Sequence, residues 1–269
     1  MIGAPSQIAK RTELKSHGFF VPLFLVFFLL TMSGCTVTRL AQSGMETGHV
    51  MILPGIGGSN PWIRSFQRII HNESPGVSAE VWDWTDIEPT WQLGDLIDLD
   101  RNLRRADALT DSLVEWQNEH PGKRLYVAAT SGGAGILLFA CRKLPADFRL
   151  ERVVLISPAL SPDADLTPIL SRSRKRMFFY RSPIDVLILG AGTLVFGTTD
   201  RRHVASAGMV GFRRKSDRIE ELVWQPKMIF QGNLGGHLGA FSPSFARKFL
   251  LPLFEPAESP RMAIRGLSE

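Results

Sequence analysis

The sequence predicts an α/β fold: a doubly wound, mostly parallel sheet of about six strands with helices on both faces. Three observations lead there. From residue 48 onward, short apolar and β-branched runs alternate with longer segments whose apolar residues step by three and four. The joints between them are rich in turn residues, with 24 Gly and 17 Pro in the chain. The length of 269 residues, 44% hydrophobic against 21% charged, suits one large core better than two small ones and excludes a disordered chain.

The first strand reads His49-Val50-Met51-Ile52-Leu53 and ends at Pro54-Gly55-Ile56-Gly57-Gly58. A helix follows, with Asn60 as its cap, Pro61 in its first turn, and Trp62, Ile63, Phe66, Ile69 and Ile70 on one face. Glu80-Val81-Trp82-Asp83-Trp84 is the second strand. After a long loop, Leu99, Leu103, Ala106, Leu109, Leu113 and Trp116 mark a helix from about Asp100 to His120, stopped by Pro121-Gly122. Strand three, Arg124 to Ala129, passes almost without a loop into a helix from Gly132 to Leu144, which carries Cys141 on an apolar face. Strand four is Arg152 to Ser157, and a fifth follows at Lys175 to Arg181. Glu221-Leu222-Val223-Trp224 is the last strand, and Ser242-Pro243 begins the last helix.

The formal charge of +5 comes from 31 basic and 26 acidic residues, and Lys10, Arg11 and Lys15 against Glu13 account for part of the excess. So small a surplus argues against nucleic acid as a partner, since phosphate binding needs a concentrated basic face. The basic start leads into an apolar run from Phe19 to Leu30, shorter than the ~20 residues of a spanning helix, which is the layout of a secretory signal. The run ends at Met32-Ser33-Gly34-Cys35, which resembles the lipobox of bacterial lipoproteins, with Met32 where Leu is usual. That resemblance implies a signal peptide over residues 1–34, lipidation of Cys35, a flexible spacer over 35–47, a domain over 48–254 and a C-terminal tail over 255–269. An ordinary cleaved signal or an uncleaved anchor is the other reading of the same segment.

The abrupt passage from strand three to its helix is the most informative place in the chain. It reads Ala129-Thr130-Ser131-Gly132-Gly133. A serine on so tight a turn takes strained backbone geometry, needs small neighbours two residues away on each side, and is held at a helix N-terminus that favours developing negative charge. The segment resembles the nucleophile elbow, G-x-S-x-G, of the α/β-hydrolase superfamily, with Ala129 in place of the first glycine. The resemblance covers roughly residues 48–254, as a compact version of that fold.

It implies Ser131 as nucleophile and a chain order of nucleophile, acid, histidine. It also implies two oxyanion donors, the amide of Gly132 and one from the loop after the first strand, for which Ile56 is the candidate; Pro54 stands where many relatives have His. Two histidines follow Ser131. His203 lies among Arg201, Arg202 and Val204 as a surface-loop residue would, whereas His237, in a Gly-rich loop between the last strand and the last helix, occupies the place of the base. For the acid Asp185 ranks first, because one helix then fits between strands four and five. Asp200 is second, reached if Thr193-Leu194-Val195-Phe196 is the strand instead, and Asp163 and Asp165 also suit helix capping.

Residues 186–219 are in excess of the repeating pattern and read either as a lid over a substrate or as a looped-out edge with its own small core. No Lys-Ser/Thr pair follows the Gly55 to Gly58 loop and no metal-ligand spacing occurs, so no cofactor and no metal are expected. The expectation is a serine hydrolase acting on a small-molecule or lipid acyl substrate at a membrane surface. A non-catalytic α/β-hydrolase-like binding protein, or an envelope lipoprotein whose Gly-rich turns only shape the fold, is the alternative.

Overall fold

Every strand pairs in parallel with its neighbours, which is possible only because each return to the starting edge is made through a helix or a long connection. The computed structural model describes residues 47–85 and 98–255; the expected signal peptide, Cys35, most of the spacer and residues 256–269 of the tail lie outside the described residues. The strands are β1 (Gly48–Leu53), β2 (Val77–Val81), β3 (Arg124–Thr130), β4 (Arg152–Ile156), β5 (Met177–Arg181) and β6 (Ile219–Val223). They form one six-stranded sheet in the order β2-β1-β3-β4-β5-β6, the doubly wound α/β architecture that the sequence predicts. The order reverses between β1 and β3, and the carboxyl ends of these two strands are the topological switch point at which such sheets bind ligands.

Both faces of the sheet are covered, and the period of two along each strand divides the core. Met51, Leu53, Leu125, Val127, Ala129, Val153, Leu155 and Phe179 face one cluster, shared with α2 (Leu99–Glu119) and α3 (Gly133–Lys143). Val50, Ile52, Tyr126, Ala128, Val154, Ile156, Phe178 and Tyr180 face the other, shared with α1 (Pro61–Glu73) and the C-terminal helical stretch from Pro243 to Phe254. Asn60 caps α1 by accepting from the amides of Trp62 and Ile63 at 3.0 and 3.1 Å. Its residues Ile63, Phe66, Ile69 and Ile70 are buried, each contributing about 1.5–3 kcal/mol. Trp62, expected on the same face, lies outside it and is half exposed. Cys141 is buried in the first cluster, and burial pushes its thiol up to about 12.

The second strand begins and ends three residues earlier than its apolar pattern suggests. Its ladder with β1 closes at Ile52 and Val81, after which Trp82 N–H still donates to Ile52 O at 2.9 Å. Asp83 then turns the chain by accepting from the Thr85 amide at 3.1 Å, and Trp84 swings under the loop after β1 instead of continuing the strand. The apolar run Thr193–Phe196, the alternative fifth strand, is the short helix α5. Between Arg172, where α4 (Thr167–Arg172) ends, and β6 the sheet gains only β5.

Candidate active site

β3 ends at Thr130, paired with Ile156 of β4, and the chain must turn at once to start α3. Ser131 makes that turn at φ +50°, a left-handed conformation that a residue with a side chain adopts at a cost of about 1–2 kcal/mol. Hydrogen bonds from every side hold it there. Its amide donates to Ile156 O at 3.1 Å, and its carbonyl accepts from Ala134 and Ala159 at 3.2 and 3.0 Å. The tight packing around it explains the small residues. A Cβ on Gly133 would lie 2.5 Å from Pro54 O, and one on Gly55 would lie 3.0 Å from the Ser131 Cβ. The loop after β1 is therefore pressed directly against the serine.

Ile56 and Gly132 meet in the same place: a Cβ on Gly132 would be 3.1 Å from Ile56 Cγ2 and 3.3 Å from the Trp84 ring. Neither the Ile56 amide nor the Gly132 amide has a hydrogen-bond acceptor among the described residues. An unpaired N–H beside a helix N-terminus is a donor held ready for an anion. The loop that carries Ile56 is held from outside. Trp84, fully buried, donates from Nε1 to Pro54 O at 2.8 Å, and Asp83 Oδ2 accepts from the Ser59 amide at 2.7 Å. Sequence reasoning missed this brace, because an apolar Trp-Asp-Trp run reads as strand. The signal that was present is Asp83 two residues before Thr85, the spacing of an aspartate that closes a turn on its own backbone.

The carboxyl ends of β5 and β6 bring the other two predicted residues together. Asp185 follows β5 by a short turn in which its amide donates to Ser182 O at 3.2 Å, and its side chain is 2% exposed. His237 Nδ1 lies 2.7 Å from Asp185 Oδ2. A carboxylate can only accept, so Nδ1 is the donor in this pair and Nε2 is the ring nitrogen turned away from Asp185. Asp200 is engaged elsewhere: it accepts from the Ser161 amide at 2.8 Å, the Ser161 hydroxyl at 2.5 Å and the Thr198 hydroxyl at 2.6 Å. Asp163 and Asp165 pair with Arg213 and Arg214 on the surface. His203 is exposed, with Nδ1 3.2 Å from Leu194 O.

A second unforeseen brace fixes the histidine loop. Asn233 is completely buried; its Nδ2 donates to Tyr180 Oη at 2.8 Å and its Oδ1 accepts from the Gly235 amide at 2.9 Å. Ser182 Oγ donates to Gly235 O at 2.5 Å, and Trp224 Nε1 donates to Asn233 O at 3.0 Å. Burial, and to a lesser degree the charge of Asp185, pushes the Tyr180 phenol up to about 12, so it stays neutral. Ser131 and His237 share no hydrogen bond among the described residues. Such contacts commonly tighten only when substrate is bound.

Residues 186–219 dock on this end of the sheet. The wide-turned helix Val186–Gly192, α5 and α6 (Ala207–Val210) bury Leu189, Thr193 and Ala207. The Ala207 amide donates to Leu160 O at 2.7 Å, and a Cβ on Gly135 of α3 would lie 2.2 Å from Thr199 Cγ2. The outer side is apolar and exposed at Val186, Leu187, Leu194 and Val195. Among the described residues no cluster of His, Cys, Asp and Glu is placed to hold a metal ion.

No protein-family model and no curated protein matches the chain. Several solved structures are similar to it. The ydeN gene product from B. subtilis is 17% identical over 71% of this chain and 88% of its own, with a TM-score of 0.42. Est1E from Butyrivibrio proteoclasticus is 11% identical over 79% and 91%, with a TM-score of 0.45. RedJ, a thioesterase from the prodiginine biosynthetic pathway in Streptomyces coelicolor, is 18% identical over 70% and 72%, with a TM-score of 0.30.

Proposed function

We propose that the protein is a serine hydrolase that cleaves carboxylic esters or related acyl compounds through Ser131, His237 and Asp185. The observation that carries this reading is the convergence, at one end of the sheet, of a serine held at φ +50° and a His237–Asp185 pair at 2.7 Å. In the first step His237 Nε2 takes the Ser131 proton as Oγ attacks the acyl carbon. The amides of Ile56 and Gly132 receive the oxyanion, and Asp185 stabilises the imidazolium. The imidazolium then gives its proton to the leaving alcohol, and water, activated by the same nitrogen, hydrolyses the acyl-enzyme. Segment 186–219, docked on this end of the sheet, serves as a cover over the site.

A fluorophosphonate probe tests the chemistry, because only an activated serine is labelled. The expected outcome is labelling of the wild type and none of Ser131→Ala at unchanged thermal stability; labelling that persists in the variant overturns the assignment. In the same proposal the mature chain begins at a lipidated Cys35, which tethers the domain to a membrane of the cell envelope. Cys35→Ser is expected to release the protein or leave it unprocessed, and a variant that stays membrane-bound at unchanged mass overturns the lipid anchor.

A further inference from the structure

The far end of the sheet, where the strands begin, holds a cavity of about 280 Å³ whose walls include Lys123, Arg124, Arg149, Arg174, Gln117 and Glu151. The charges there do not cancel. Glu151 is already taken by Lys175, at 3.0 Å. Arg149 is oriented by two carbonyls, those of Ala146 and Phe148, each 2.7 Å from Nη1. No carboxylate lies within ion-pair distance of Arg124, Arg149 or Arg174 among the described residues. A ligand that satisfies this set brings anionic oxygens for the guanidinium groups.

The chain enters the domain beside the same cavity. The Arg124 amide donates to Thr47 O at 3.3 Å, and Gly48 lies opposite Arg124 in the sheet. The stretch from Cys35 to Thr47 reaches at most about 45 Å when fully extended, so a membrane anchor at Cys35 holds the point where the chain enters the domain within that distance of the bilayer. From these observations we infer that the cavity binds the phosphate-bearing headgroup of an anionic phospholipid and docks the amino end of the sheet on the membrane. A phosphoglycerol headgroup carries net negative phosphate oxygens with no cationic group beside them, as the guanidinium walls require. The inference rests on the N-terminal attachment proposed above, and it is independent of the chemistry at Ser131.

The test is a calorimetric titration of the full-length chain in nonionic detergent with short-chain phosphatidylglycerol, short-chain phosphatidylcholine and inorganic phosphate. Saturable binding of phosphatidylglycerol is expected, well above that of the other two. The double variant Arg149→Gln/Arg174→Gln is expected to weaken it by about 25-fold, at about fivefold per cation near a membrane surface. Arg213→Gln/Arg214→Gln, an equal loss of charge elsewhere, leaves it unchanged, and thermal melting of each variant establishes that it is folded. Three outcomes overturn the inference: equal binding of phosphatidylcholine, inorganic phosphate binding as tightly as the lipid, or indifference to Arg149 and Arg174. Because the probe lipid is soluble, failure here is distinct from failure of the Cys35 anchor, which fractionation of Cys35→Ser reads separately.

Discussion

The carboxyl and amino ends of the sheet are built from the same six strands, yet their connections obey different rules. At the amino end the chain turns into β2 and β3 through Gly76 and Gly122, which take φ +73° and +79° without a side chain to resist them. At the carboxyl end Ser131, Ser157 and Arg201 hold φ of +50°, +48° and +67°. The chemistry differs in parallel: one end exposes Ile184, Val186, Leu187 and Leu234, and the other gathers arginines around a cavity. Backbone strain persists only where surrounding contacts over-determine it, and it collects where a side chain must be aimed. The comparison teaches that the unstrained end can be altered cheaply, whereas the strained end depends on every neighbour that holds it.

The largest expected effect separates two aspartates of the strained end. Asp185→Asn loses the acceptor that fixes the His237 tautomer, and turnover is expected to fall by about 10⁴-fold in steady-state assays. Asp200→Asn breaks the bonds to Ser161 and Thr198 and is expected to lower the melting temperature with turnover within about threefold of wild type. A fall in turnover as large as that of Asp185→Asn would move the acid to Asp200.

Next come two ways of disturbing the loop after β1. Gly133→Ala forces a methyl group to 2.5 Å from Pro54 O and is expected to cost about 1–3 kcal/mol in denaturant unfolding, with lost probe labelling of Ser131. Trp84→Phe keeps an aromatic ring, though a smaller one, and removes the donor to Pro54 O. A buried carbonyl left without its partner costs about 1–3 kcal/mol. If the brace positions the oxyanion loop, kcat falls about 10–100-fold while KM stays nearly constant. A variant that loses stability alone reduces Trp84 to a packing residue.

The smallest effects test the unstrained end and the core. A Cβ on Gly122 would meet nothing within 4 Å, so Gly122→Ala is expected to cost only the left-handed backbone penalty, about 1–2 kcal/mol, at unchanged turnover. Cys141, with its thiol held up to about 12 by burial, stays almost wholly protonated at neutral pH. Iodoacetamide is expected to leave it unmodified in the folded protein and to label it in denaturant.

Much of this was legible in the residues. The alternation of strand and helix, the cap at Asn60, the small residues flanking Ser131 and the Gly-rich setting of His237 all follow from local chemistry, because periodicity and φ preferences act over a few positions. From sequence, the economy of one helix between strands ranks Asp185 above Asp200 without excluding it; in the structure Asp185 contacts His237 and Asp200 contacts Ser161. Other features depend on chain segments far apart in sequence. Trp84 leaves its strand to hold Pro54 thirty residues away, Asn233 joins Tyr180 to the histidine loop, and the cavity assembles arginines from the starts of three different strands. Local pattern cannot specify such contacts. They arise when parallel strands bring their ends into one plane, so that residues unrelated in sequence come within hydrogen-bond and Coulomb range.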